Sequence, residues 1–154
     1  MQKINWHKRK TFKQASEQEI TSVEEILSIK FPIDYRDFIK DHNGCSPLDK
    51  DVVIINSFRE TLNYLLSFGD DNRPIDMLRT YENIKDRLID NVIPFANDPG
   101  GNMFCFDFRE LKHEPPIVFW DHEEAYEDPN GAVTYVCSGF TELINSLQSF
   151  EEED

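Results

Sequence analysis

The sequence lacks a cysteine framework: Cys45, Cys105 and Cys137 are far apart and odd in number, which gives neither a disulfide scaffold nor a CxxC metal or redox pair. A reducing compartment suits such thiols. It also lacks any apolar run near the roughly 20 residues that span a bilayer, and residues 1–14 show no apolar stretch of a signal peptide. The expectation is a cytoplasmic protein with no membrane contact.

Positive charge is scarce. Sixteen Lys and Arg stand against thirty Asp and Glu, leaving −14. The imbalance is uneven, because from Asp107 onward thirteen acids meet only Arg109 and Lys112, so this segment carries −11 of the total. Residues 1–14 hold five cations (Lys3, Lys8, Arg9, Lys10, Lys13) and no acid. A surface of this sign repels phosphates and attracts cations, which disfavours direct nucleic-acid binding, although the basic stretch is able to touch an anionic surface. Solubility alone is the plainer consequence of the acidity.

Catalytic constellations are missing too. Asp98, Pro99, Gly100, Gly101 and Asn102 are glycine-rich, but they lead into a strand pattern without the lysine of a phosphate-binding loop, and they fit a tight connection between two strands. None of His7, His42, His113 and His122 lies three or four positions from another histidine, although His122 has Asp121, Glu123 and Glu124 beside it. Cys105 and Cys137 sit inside apolar strand patterns, unlike a thiol activated by a basic neighbour. Paired carboxylates follow from the acidic composition and distinguish nothing. The expectation is therefore no cofactor, no metal and no enzymatic activity.

What the chain does have is apolar material: 39% of its residues are hydrophobic, twelve of them phenylalanine, enough for one domain with a real core. Ser16 and Glu19 have the form of a capping box, and Ile20, Val23, Ile26 and Leu27 follow at helical spacing, which predicts a helix from about Glu17 to Ser28. After Phe31 and Pro32 a second apolar stripe, Tyr35, Phe38 and Ile39, starts with Asp34 and stops at Asn43 and Gly44. Val52 to Ile55 and Thr61 to Phe68 predict strands, with Asn56 to Glu60 as a break. Gly69, Asp70, Asp71 and Asn72 make a polar loop, and Ile75, Leu78, Tyr81 and Ile84 predict a third helix after Pro74.

The second half reads as an antiparallel meander. Its strand patterns are Val92 to Ala96, Met103 to Phe108, Ile117 to Trp120 and Val133 to Cys137. Phe104, Phe106 and Phe108 point to one face, expected to be core, while Met103, Cys105 and Asp107 point to the other, expected to be open. A last helix from near Ser138 carries Phe140, Leu143, Ile144, Leu147 and Phe150. This order predicts a single α+β domain, a largely antiparallel sheet covered by helices, over residues 16–150. A basic extension precedes it at 1–15, and a frayed acidic tail follows at 151–154.

One segment combines aromatic groups with carboxylates: Trp120, Asp121, His122, Glu123, Glu124, Tyr126, Glu127 and Asp128. Aromatic anchors supply buried area and carboxylates pair with arginine or lysine, so these residues are the candidate partner-binding set. The competing reading is a solvated acidic loop with Trp120 in the core, and a further one is a hydrolase or metal site built around His122.

Three blocks in order carry a family resemblance. Phe31, Pro32, Ile33, Asp34 and Tyr35, with Phe38, Ile39, Asn43 and Gly44, form the first, in which Phe31 stands where leucine is usual. Ile93 through Asn102 with Phe104, Cys105 and Phe106 form the second, and Val118, Phe119, Trp120, Asp121, His122 and Glu123 the third; Phe140, Leu143 and Ile144 resemble the closing helix. Together they resemble the SUKH superfamily, whose founding eukaryotic member is a yeast regulator of cell-wall synthesis.

The resemblance implies an α+β SUKH-like fold. For bacterial members it implies immunity proteins that bind and neutralise polymorphic toxins, many of them nucleases; eukaryotic relatives are regulatory or scaffold proteins binding endogenous partners. It transfers no catalytic or binding residue. The expected partner is a cognate, basic protein toxin, met by a monomer or weak homodimer.

Overall fold

The computed structural model describes residues 1–70 and 73–150. Asp71 and Asn72 of the polar loop, and Glu151, Glu152, Glu153 and Asp154 of the expected tail, lie outside the described residues.

The helices form where the capping signals place them. Ser16 Oγ accepts from the Glu19 amide at 3.1 Å while Glu19 Oε1 accepts from the Ser16 amide at 2.9 Å, which opens α1 (Glu17–Leu27). The helix ends at Ser28, whose left-handed φ of 57° turns the chain. Pro32 precedes α2 (Ile33–Asp41). Glu24, buried on α1, accepts from the Phe31 amide at 2.8 Å and pairs with Arg36 of α2 at 3.1 Å, so the turn between the two helices is pinned by one carboxylate. After α2, Gly44 adopts φ 69°, and the Asn43 side chain bonds the carbonyls of Lys13 and Phe68 and the Phe68 amide.

The first fifteen residues lie along the body of the fold. β1 (Trp6–His7) pairs antiparallel with β2 (Ser46–Pro47), Ile4 and Trp6 pack against the main core, and Gln2 Nε2 donates to the carbonyls of Ile144 and Leu147.

β3 (Val52–Ile55) forms as expected, but the break after it is shorter than the turn-forming residues imply. Asn56 tolerates a φ of 55°, so Asn56 and Ser57 alone make the hairpin turn and β4 (Phe58–Thr61) pairs back from Phe58 opposite Ile55. The expected strand from Thr61 to Phe68 is divided: Thr61 ends β4, and Tyr64–Leu65 forms β5 in a different sheet. Asp76 then caps α3 (Met77–Ile84) by accepting from the Arg79 amide at 3.1 Å.

β6 (Val92–Asn97), β7 (Met103–Asp107), β8 (Ile117–Trp120) and β9 (Val133–Cys137) complete a five-stranded antiparallel meander in the order β5-β6-β7-β8-β9. The last helix, α4 (Phe140–Asn145), is shorter than its apolar stripe suggests. Leu147 is buried by pairing rather than by helical continuation: Leu147–Gln148 is β10, placed opposite Val53 and Val52 in a second sheet, β10-β3-β4, while Phe150 is left exposed. A spacing of four residues fits a helical stripe and a turn into a strand equally well.

The chain is thus α+β, with the meander between two layers. On one face α1, α2, α4 and the hairpin β3–β4 bury an aromatic cluster around Tyr35, whose ring lies 5.0 Å from Phe106, 5.2 Å from Phe31, 5.3 Å from Phe140 and 5.8 Å from Phe95. Burial pushes the Tyr35 hydroxyl pKa up, so the group stays neutral.

The other face is not open. Met103, Cys105, Val118 and Trp120 pack with Ile84, Leu88, Val92, Ala125 and Ala132 in a second cluster under the end of α3. Alternation along β7 therefore separates two cores rather than core from solvent. Among the described residues no helix is long and apolar enough to cross a membrane.

Phe106→Ala removes the centre of the first cluster and is expected to lower unfolding free energy by about 3–5 kcal/mol, measured by urea denaturation. Phe38→Ala should lose less, because Phe38 is only half-buried at the rim beside Trp6 and His42; equal losses would contradict this packing.

Candidate protein-binding face

The acidic stretch after β8 is held from beneath by the turn between β6 and β7. Asp98 is 6% exposed, and its Oδ1 accepts from the amides of Gly100 and Asn102 at 2.9 and 2.7 Å while Oδ2 accepts from Asn102 Nδ2 at 2.9 Å. Gly101 has φ 93°, which a side chain rarely tolerates, and faces the His122 ring. Asn102 Oδ1 in turn accepts from the His122 amide at 2.9 Å, so one strand turn fixes the start of the next loop.

From above, the loop is clamped by Arg87. Its guanidinium lies 5.3 Å from the Trp120 ring and 4.5 Å from the Tyr126 ring, and its Nη1 donates to the His122 carbonyl at 3.2 Å. The chain then closes on itself. Asp121 Oδ1 accepts from the amides of Glu123 and Glu124 at 2.9 and 3.1 Å, which starts a 3₁₀ turn at Glu124–Tyr126. Ala125 points inward and is buried, the Asp128 carbonyl accepts from the Ala132 amide at 3.0 Å, and the Asp121 amide donates to Ala132 at 2.9 Å.

Of the eight candidate residues, six stand on the surface: Asp121, Glu123, Glu124, Tyr126, Glu127 and Asp128 are exposed, Tyr126 at 72%. His122 is half-buried against Gly101. Trp120 is corrected here: it is fully buried in the second core, so it supports the loop through Arg87 and offers no surface to a partner. Its position inside a strand buried on both faces is the reason.

Glu60 on β4 adds to the negative field. Its carboxyl pKa is raised, first by desolvation and then by the charges of Asp98 and Asp121. Among the described residues no group of three or more His, Cys, Asp or Glu is placed to hold a metal. Burial pushes the Cys105 thiol up and the Cys137 thiol up to about 12, which keeps both as unreactive thiols at neutral pH.

Arg87, Glu60 and Asn102 are further residues of this face, outside the candidate set read from the sequence. Nothing local marks Arg87, which lies 35 residues from its bonding partner His122. Asn102 has a visible signal, its place at the end of the glycine turn.

Comparison with known proteins adds the following. A family model, SUKH_6, described as SMI1-KNR4 cell-wall, matches residues 17–144. A Bacillus subtilis (strain 168) protein described as SPbeta prophage-derived uncharacterized protein YokK is 26% identical, in an alignment covering 84% of this chain and 73% of that protein.

Two measurements check the geometry of the face. Arg87→Ala should speed amide exchange through residues 122–128 by the equivalent of about 1–2 kcal/mol, the worth of two ring contacts and a hydrogen bond; unchanged exchange would mean the clamp is idle. Glu60→Gln should raise the unfolding temperature at pH 7, because a carboxyl whose pKa is raised by folding costs stability above its unfolded-state value. The gain should vanish as pH falls below the ordinary glutamate value of 4.5, where folded and unfolded chains are both protonated.

Proposed function

The chain belongs to the SUKH superfamily of SMI1-KNR4 domains, and from that premise we propose that it is a non-enzymatic, cytoplasmic immunity protein that binds and neutralises a basic, nuclease-type toxin. The observation that carries this reading is the loop after β8, where five carboxylates and Tyr126 project from a backbone fixed by its own hydrogen bonds.

A nuclease must hold phosphates, and the cations that do so are complementary to such a loop. Because Asp121, Asp128, Arg87 and Asn102 already order the backbone, little conformational freedom remains to be lost on association. Tyr126 takes the role of aromatic anchor: its ring is exposed yet held against Arg87, which limits the entropy lost when a partner covers it. The prophage origin of the Bacillus subtilis relative fits a gene that travels with mobile elements.

The test is co-expression with the polypeptide encoded beside this chain. The expected result is a stoichiometric complex and restored growth. Exchanging Glu123, Glu124 and Glu127 together for lysine should weaken that complex by about 10-fold or more, at roughly 0.5–1 kcal/mol per lost pair, with stability changed by no more than about 1 kcal/mol, as for surface sites whose carboxylates hold no loop amide. Absence of both complex and rescue would move the assignment to a regulatory or scaffold domain, and unchanged affinity in the variant would place the contact surface elsewhere.

A further inference from the structure

β9 is the outermost strand of the meander, bonded to β8 on one side and, among the described residues, to no strand on the other. The register states which of its backbone groups are unused. The Asp121 amide donates to Ala132, so Trp120 and Val133 face each other as a non-hydrogen-bonded pair, Phe119 and Thr134 as a hydrogen-bonded pair, and Val118 and Tyr135 again as a non-hydrogen-bonded one. Thr134 therefore directs its N–H and C=O at β8, whereas Val133 and Tyr135 direct theirs out of the sheet. Among the described residues no backbone group of Val133 or Tyr135 bonds to any segment outside the sheet.

Exposed edges are normally blunted by lysine, proline, an inward charge or a covering segment. Val133, Thr134 and Tyr135 have none of the first three within them, and Thr134 and Tyr135 are exposed, Tyr135 at 63%. A bulge at Val136, where the register slips between Ile117 and Val118, turns the far end of β9 aside and confines the open stretch to these three residues. The opposite edge of the sheet is covered, since the β5 residue Leu65 donates to the Cys45 carbonyl at 2.9 Å.

Charge identifies the occupant. The open stretch is neutral, but exposed carboxylates flank it: Glu127 and Asp128 before it, Glu142 after it. A second copy paired antiparallel about Thr134 would bring Glu127 and Asp128 of one copy toward Glu142 of the other, which is repulsive. An extended segment that is uncharged in the middle and basic at both ends meets the edge with four backbone hydrogen bonds and two charge contacts.

We infer that β9 takes up, by antiparallel strand addition, such an extended segment of the basic partner, its uncharged residues against Val133, Thr134 and Tyr135 and its Lys or Arg beside Asp128 and Glu142. This rests on the reading above that the partner is a basic protein, and it names how that partner seats.

The test adds the capped hexapeptide Lys-Thr-Val-Thr-Val-Lys, at millimolar concentration, to the full ¹⁵N-labelled chain. The amides of Val133 and Tyr135 should shift and become protected from exchange while protection of Thr134 stays unchanged, an alternation that only strand pairing produces. The same peptide methylated on its backbone nitrogens should give no protection. Tyr135→Pro removes an outward N–H without touching a ladder bond, and should weaken peptide binding by about five-fold or more with the fold retained; should that variant not fold, the methylated peptide on the native chain decides alone. Shifts confined to residues 121–128, equal binding of the methylated peptide, or protection that rises with protein concentration without peptide would overturn the proposal, the last in favour of a second copy. Seating of the peptide without growth rescue would remove the toxin reading and leave the edge standing; rescue with no seating would do the reverse.

Discussion

β8 is buried on both faces, and that constraint shapes the functional end of the molecule. Ile117 and Phe119 enter the aromatic core, Val118 and Trp120 the second cluster, and no polar side chain fits until the strand leaves the sheet at Asp121. The carboxylates are therefore displaced as a block into one loop at one end of the meander. The same burial makes Trp120 a rigid floor on which Arg87 stacks, and Arg87 a platform for Tyr126. An acidic loop on a floppy support would lose its order advantage on binding; this one is tied to two strands and a cation.

The charge asymmetry of the sequence is put to opposite uses. Near the N-terminus the cations are partly spent internally: Arg9 pairs with Asp70 at 3.3 Å, and Lys13 reaches Glu19 at 3.2 Å and the Gly69 carbonyl at 2.6 Å. In the 121–128 loop, carboxylates that bond do so to the loop's own amides, and Glu123, Glu124 and Glu127 remain directed to solvent. Structure thus occupies Arg9 and Lys13 and leaves Glu123, Glu124 and Glu127 available, which is the arrangement an inhibitor of a cationic partner needs.

The fold is largely legible in the sequence because its signals are local. The Ser16–Glu19 capping box, Pro32, and the glycine turn at residues 98–102 each specify geometry within a few residues, and each forms. The misread parts depend on long-range pairing. Whether Leu147 continues a helix or enters a strand is decided by Val53, and whether Met103 and Cys105 face water is decided by α3 and the 121–132 loop, none of which is near in sequence. The site follows the same division. Its exposed carboxylates are visible as composition, but the burial of Trp120, the clamp by Arg87 and the free edge of β9 exist only once the sheet is assembled.

The measurement that bears most directly on the account is an amide-exchange footprint of this chain bound to the polypeptide encoded beside it. Protection gained on binding should concentrate in residues 121–135, spanning the acidic loop and the start of β9. Protection confined to the open groove between α1 and α3 around Gln18, Ser22, Leu78 and Glu82, with the loop unchanged, would contradict it.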